Sequence, residues 1–309
     1  MSGLICMIGA SGFLGARTMQ RACSSDRPRL RALVHRRALR SSFPVETVEG
    51  DAADTAAVER LLEPGALVFN FAYGGEGENE RIARSVGQAC ARRGIRRLVH
   101  VSTCSVYGAS EGKVIDERSA CIPVTAYERG KLAAEEIALL EAGDRYELVI
   151  LQPTAVFGPG GRNLESLARR VLDKSWPRRY LRACAMGRRR MHVVDVECVA
   201  AAAIFLGSAP LASAAERFIV SQDDEPGNDY LSIEAFFVQH LGAAPYPLPV
   251  VPTPSTMLRL ALRLGGRSDV EPQRRYSSAR LAGRGFVAPR TFDAALREYA
   301  GWIAQHARP

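Results

Sequence analysis

Leu4-Ile5-Cys6-Met7-Ile8-Gly9-Ala10-Ser11-Gly12-Phe13-Leu14-Gly15 is the stretch whose reading decides the fold. Its apolar run, Leu4 to Ile8, is too short for a helix and suits a strand buried on both faces of a parallel sheet. Glycines at positions 9, 12 and 15 follow at once, and a helical pattern then runs to about Cys23. Strand, glycine turn and helix in that order make an anion site. The glycines let the backbone approach a pyrophosphate, and the first N–H groups of the helix point at it. A dinucleotide is the expected ligand, met by Gly9, Ser11, Gly12, Phe13, Leu14 and Gly15.

Working outward, Arg29 to Val34 reads as the second strand. The residue just after it faces the adenosine ribose, where an acid suits the 2′-hydroxyl of NAD and an arginine the 2′-phosphate of NADP. Here stand His35, Arg36 and Arg37, with no acid, which favours NADP; solvated arginines are the competing reading. Val45 to Val48 leads to Gly50, Asp51 and Ala52. Asp51 either accepts from an adenine amino group or starts the turn before a helix near Asp54 to Leu62. The fourth strand, Ala66 to Phe71, ends at Phe71-Ala72-Tyr73-Gly74-Gly75, small enough for a cofactor to lie against the backbone. A polar helix, Glu78 to Arg93, and a fifth strand, Arg96 to Ser102, follow.

Strands and helices alternate six times up to Leu151. The fold class is therefore α/β, a doubly wound parallel sheet with right-handed crossovers and a ligand crevice at the carboxyl ends of its strands. Gly9, Ala72, Thr103 and the loop after Leu151 fall on that edge. Beyond it come a helix from Asp195 to Leu206 with an aspartate N-cap, a strand from Arg217 to Val220, and a helix from Ser232 to Leu241. Prolines 245, 247, 249, 252 and 254 then interrupt regular structure. Ser255 to Leu264 reads as an amphipathic helix with Arg259 and Arg263 on one face; lying on a membrane surface is one reading, and packing its apolar side on the protein is the expected one. Phe292 to His306 is the terminal helix. Residues 1–160 with about 191–222 are expected to form the dinucleotide-binding domain, and about 161–190 with 223–309 a smaller C-terminal substrate lobe.

The 309 residues are 47% hydrophobic and 24% charged, an ordinary soluble composition. No run approaches the length of a membrane span, and the N-terminus enters a strand without the features of a secretory signal, so stable membrane insertion is not expected and a cytoplasmic protein is. Seven cysteines, Cys6, Cys23, Cys90, Cys104, Cys121, Cys184 and Cys198, form no C-x-x-C pair. That argues for a reducing compartment and against a metal site. The net charge of +8 comes from arginine clusters such as Arg188-Arg189-Arg190. No motif that reads nucleic acid accompanies them, so phosphorylated small molecules are the expected anions.

Ser102 to Lys131, STCSVYGASEGKVIDERSACIPVTAYERGK, carries the candidate chemistry. Tyr127 and Lys131 stand one helical turn apart. An ammonium beside a phenol favours the phenolate, which fits Tyr127 for proton transfer near neutral pH. By itself the pair is also an ordinary surface pair; the hydroxyl-rich strand end at Ser102 and Thr103 and the glycine turn give it weight.

Together these elements resemble the extended short-chain dehydrogenase/reductase family, which contains nucleotide-sugar epimerases and dehydratases and has the Rossmann type of sheet. The resemblance rests on Gly9-x-x-Gly12-x-x-Gly15, Gly50-Asp51, Ser102 to Gly108, Tyr127-x-x-x-Lys131, Gln152 to Gly160 and Arg189 to Val196. It implies catalytic roles for Thr103, Tyr127 and Lys131. Tyr127 would move a proton, Lys131 would bond the nicotinamide ribose, and Thr103 would hold the reacting oxygen. It also implies cofactor contacts at His35, Arg36, Asp51, Ala52, Phe71, Ala72, Tyr73 and Pro153, with NADP or NAD as cofactor. Substrate contacts are implied at Thr103, Cys104, Ser105, Asn163, Arg189 and Arg267, and a homodimer is expected. Arg189 is equally read as part of a solvated basic loop, and His192 as a structural residue. Members that dehydrate sugars carry Asp-Glu after the threonine; this chain has Cys104-Ser105, which argues against that reaction.

The resemblance thus implies an epimerase of a nucleotide-activated sugar. An NADPH-dependent reductase of a keto-sugar or another carbonyl compound is the alternative, supported by Arg36. A dinucleotide sensor without catalysis would not need Thr103, Tyr127 and Lys131 together.

Overall fold

The computed structural model describes residues 3–25, 28–75, 77–172, 176–265 and 271–306. The first half alternates as the sequence predicts: β1 (Leu4–Ile8), α1 (Phe13–Ser25), β2 (Arg29–Val34), β3 (Glu46–Glu49), α2 (Thr55–Leu61), β4 (Leu67–Asn70), α3 (Glu78–Arg93), β5 (Arg97–Val101), the short β6 (Val114–Ile115), α4 (Ala126–Ala142) and β7 (Glu147–Pro153). The second half adds β8 (Ala155–Phe157), α5 (Glu165–Leu172), α6 (Trp176–Met186), β9 (Val193–Asp195), α7 (Val196–Ser208), β10 (Ala215–Val220), α8 (Tyr230–His240), α9 (Ser255–Leu264), β11 (Arg275–Tyr276), α10 (Ala279–Gly283) and α11 (Phe292–His306). Nothing in the sequence reading anticipated α5 and α6.

Seven strands form one parallel sheet in the order β10-β7-β5-β4-β1-β2-β3. The chain winds outward from β1 first to one side and then to the other, which is a Rossmann sheet. Alternation within β1 shows the double layer: Ile5 and Met7 join the core under α1 and α7, while Cys6 and Ile8 join the core under α2, α3 and α4. Fully burying each such side chain contributes roughly 1.5–3 kcal/mol. A third core, built on Phe157, Leu167, Phe237, Phe292 and Tyr299, joins α5, α8 and α11.

Register sets the position of the site. Ile8 stands beside Asn70, Asn70 beside His100, and His100 beside Ile150. The residues that follow, Gly9, Phe71, Ser102 and Pro153, therefore share one rim. Gly9 (φ +79°) must be glycine: a Cβ there would lie 2.7 Å from the Ala72 nitrogen. A Cβ on Gly15 would lie 2.3 Å from the Gly9 carbonyl oxygen.

Two expectations are corrected. Asp195 stands at the start of α7 but does not cap it through its side chain. Its buried carboxylate instead accepts from Arg290 Nε at 2.6 Å and Nη2 at 2.8 Å. A charge taken out of water gains more from a guanidinium than from one backbone amide. Likewise α9 buries Leu258 but leaves Met257, Leu260 and Leu264 outside. Its apolar residues spread over more of the helix than one contact face can cover.

Candidate active site

The rim opens on a cleft of about 1040 Å³. On one side β5 ends in Ser102 and Thr103. The Thr103 hydroxyl caps the 3₁₀ turn Cys104–Tyr107, accepting from the Ser105 amide at 3.2 Å. Opposite, a capping box fixes the start of α4. Thr125 Oγ1 accepts from the Glu128 amide at 3.2 Å, and Glu128 Oε2 accepts from the Thr125 amide at 3.0 Å. That rigid first turn delivers Tyr127 and Lys131 to the cleft. One turn on, Glu135 closes a buried network: it accepts from Gln152 Nε2 at 2.9 Å and Arg217 Nε at 3.0 Å, while Tyr107 donates to Gln152 at 2.8 Å.

The structure thus brings Thr103, Tyr127 and Lys131 together. The Thr103 hydroxyl, which donates to Ser105 Oγ at 3.2 Å, also acts on the Tyr127 phenol. Tyr127 is 44% exposed at the mouth, whereas Lys131 is 6% exposed. Burial raises the phenol above its ordinary value, and the Thr103 bond opposes this. Burial also pushes the Lys131 amine down to about 8, partly countered by Glu135. The phenol is therefore held in its protonated form, the reverse of the direction read from the sequence, because desolvation, with Tyr73 and Glu128 adding to it, outweighs the Thr103 hydroxyl.

A dinucleotide fits the rim. Phe13, Leu14, Phe71, Tyr73 and Pro153 line the cleft, and the first turn of α1 offers amides at one end. Ser102 and Thr154 also line it, and their buried hydroxyls have no partner among the described residues. Such hydroxyls suit the ribose or carboxamide of a nicotinamide nucleotide. Ala72 donates its amide to Asn70 Oδ1 at 3.0 Å, which fixes the backbone beside Gly9. Gly12 and Ser11 complete the turn before α1. At the adenosine end, His35 and Arg36 are exposed just past β2, and Arg36 has no ion-pair partner among the described residues. Asp51 starts a turn, accepting from the Ala53 amide at 2.9 Å, and Ala52 packs in the core.

On the substrate side, Ser105 and Asn163 line the cleft, and Asn163 Nδ2 donates to the Val156 carbonyl at 2.8 Å. Cys104 is almost wholly buried. Its thiol donates to the Gln152 carbonyl at 3.0 Å and is raised well above the ordinary thiol range by burial, so it offers a substrate little. Arg189 is buried in the wall, and Arg162, Arg170, Arg182 and Arg190 join it there. Of these five arginines the sequence pointed to Arg189 as a substrate contact and to Arg190 only as part of the same basic cluster; Arg162, Arg170 and Arg182 had no assigned role. Arg267 lies outside the described residues. His192, in a left-handed conformation (φ +51°), also faces the cleft, its Nδ1 2.6 Å from Asp223 Oδ2. No cluster able to hold a metal occurs among the described residues.

The sequence model of the NAD dependent epimerase/dehydratase family matches residues 5–219. The chain belongs to that family. The chain is 28% identical over 181 residues to sterol demethylase protein B of Methylococcus capsulatus, covering 53% of this chain and 55% of that protein. It is 27% identical over 181 residues to the UDP-glucose 4-epimerase of Azospirillum brasilense, covering 51% of each. These matches span about half the length of the curated relatives. In fold it is like UDP-glucuronic acid 4-epimerase from Bacillus cereus, solved with UDP-glucuronic acid and NAD: TM-score 0.72 at 16% identity, covering 98% of this chain and 99% of that one.

Proposed function

We propose that this family member is an NAD(P)-dependent epimerase of a nucleotide-activated sugar, acting through a transient keto sugar. The observation that carries the reading is the make-up of the cleft: the hydroxyl–phenol–amine group of Thr103, Tyr127 and Lys131, together with arginines 162, 170, 182, 189 and 190 in the same walls. Guanidinium groups match the oxygens of a diphosphate. A sterol, as in the name of one relative, brings no anionic oxygens to match these guanidinium groups.

Bound nicotinamide cofactor supplies the hydride acceptor and donor. The protein's own residues do the rest. Tyr127, once ionised to the phenolate, would take the hydroxyl proton as the carbinol becomes a ketone. Thr103 holds the reacting oxygen, and Lys131 bonds the nicotinamide ribose. With the ketone turned to its other face, reduction by the bound cofactor would restore the alcohol with no net consumption, and Tyr127 would return the proton. Cys104-Ser105 offers no carboxylate pair for dehydration. The division into residues 1–160 with 191–222 and residues 161–190 with 223–309, and a homodimeric state, belong to the same proposal.

A second reading, an NADPH-consuming reductase, is favoured by the exposed His35 and Arg36 where NAD enzymes carry an acid. The two separate in one experiment. The purified protein is assayed for bound nicotinamide by absorbance and then given UDP- and dTDP-sugars. Exchange of isomers without net change in NAD(P)H supports the epimerase. Oxidation of added NADPH selects the reductase.

A further inference from the structure

Apolar side chains left outside the cores gather on one surface. Leu181 on α6, Val251 in the proline-rich connection, and Met257, Leu260 and Leu264 on α9 are each more than half exposed. Tyr180 Oη donates to the Pro249 carbonyl at 2.9 Å, and the Thr253 amide donates to the Cys184 carbonyl at 2.8 Å, so α6 lies alongside the connection into α9. Met257, Leu260 and Leu264 recur at the spacing of a single helical stripe. Because α6 also lends Arg182 and Met186 to the cleft, this surface borders the candidate active site.

Its unpaired charge is one-sided, although Arg259 on α9 is paired with Glu271 at 2.6 Å. No acid occurs between Ala235 and Gly265, and Asp173 is the one acid in residues 166–194, which carry eight arginines and Lys174. Arg178 and Arg263 are exposed and have no ion-pair partner among the described residues. An aliphatic stripe with a cationic margin fits the headgroup boundary of an anionic bilayer. A second copy fits less well, since a two-fold interface would set arginine against arginine. Nucleic acid would match the charge and leave the leucines in water.

We propose that the face formed by α6 and α9 docks on an anionic membrane surface, with the cleft opening beside it. Docking is peripheral: α9 has 10 residues, and no helix among those described is long and apolar enough to cross a bilayer. The inference stands whichever substrate the cleft takes.

Flotation of the full chain with vesicles tests it. The protein should rise with vesicles of phosphatidylcholine and phosphatidylglycerol in equal parts, stay behind with phosphatidylcholine alone, and be released by salt. The double variant Leu260→Glu/Leu264→Glu should lose at least about tenfold in vesicle affinity, and Arg263→Gln about fivefold, with far-UV circular dichroism and NAD binding unchanged. Arg263→Gln removes an exposed charge and reads the proposal even if the double variant fails to fold. No flotation with anionic vesicles at low salt overturns the proposal. So does flotation indifferent to these variants, or a solution dimer that the leucine variants dissociate.

Discussion

The Lys131 ammonium lies over the Tyr73 ring, 5.1 Å from its centroid. The ring also meets Tyr127 edge-on at 6.0 Å, so one aromatic side chain touches both members of the helical pair. A ring face and Glu135 are modest compensation for water, and the amine's pKa falls from 10.5 to about 8. The folded protein therefore holds this proton less tightly than the unfolded chain does. Lys131 lowers stability at neutral pH, and that cost fades as pH rises from about 8 towards 10.5. Lys131→Met should abolish turnover and yet raise stability near neutral pH by roughly 1–3 kcal/mol, the gain vanishing in alkali. Urea unfolding across pH checks this; a loss of stability near neutrality would show that burial is not the dominant effect.

Tyr127→Phe should reduce turnover by about three orders of magnitude while nicotinamide binding stays within a few fold. Thr103→Val should cost less, because a positioned hydrogen bond is lost and not the proton carrier. Single-turnover kinetics beside cofactor titration measure both. Wild-type turnover in Tyr127→Phe would remove the phenol from the mechanism.

At the other end of the dinucleotide site, Arg36→Asp should exchange a cation for the acid that suits a ribose 2′-hydroxyl. The ratio of NADPH to NADH affinity is expected to fall by about tenfold or more. Fluorescence titration of both cofactors reads the ratio. An unmoved ratio would leave Arg36 as a solvated surface charge.

Arg290→Met should destabilise the fold by about 3–5 kcal/mol, because it strands the buried Asp195 carboxylate. Adding Asp195→Asn should restore much of that loss, and denaturant unfolding of the single and double variants gives the coupling. Equal stability of the two variants would mean that the lost guanidinium, and not the orphaned charge, sets the cost.

What the sequence made legible was local. Leu4 to Ile8 is a strand because an apolar run of five before a glycine is too short for a helix and suits a buried parallel strand, and Tyr127 and Lys131 share a face because a helix has a fixed period. Asp195 looked like a cap because its partner, Arg290, is 95 residues away. His192 showed no sign of its link to Asp223, which needs a left-handed backbone and a distant loop. Arg162, Arg170, Arg182 and Arg190 carried no local mark separating them from solvated arginines; only the packing of α5 and α6 turns that region towards the cleft. Local pattern thus sufficed for the nucleotide rim and for the catalytic candidates, whereas the opposite wall depends on contacts between distant segments.

The strand order also bears on synthesis at the ribosome. β7, which brings Gln152 and Pro153 to the rim, is covered on its outer side by β10, made more than sixty residues later. Until Ala215–Val220 emerges, a nascent chain shows a bare, strongly apolar border able to recruit another polypeptide. Chains stopped short of that strand should therefore need chaperone protection, and C-terminal truncations should be designed to retain it.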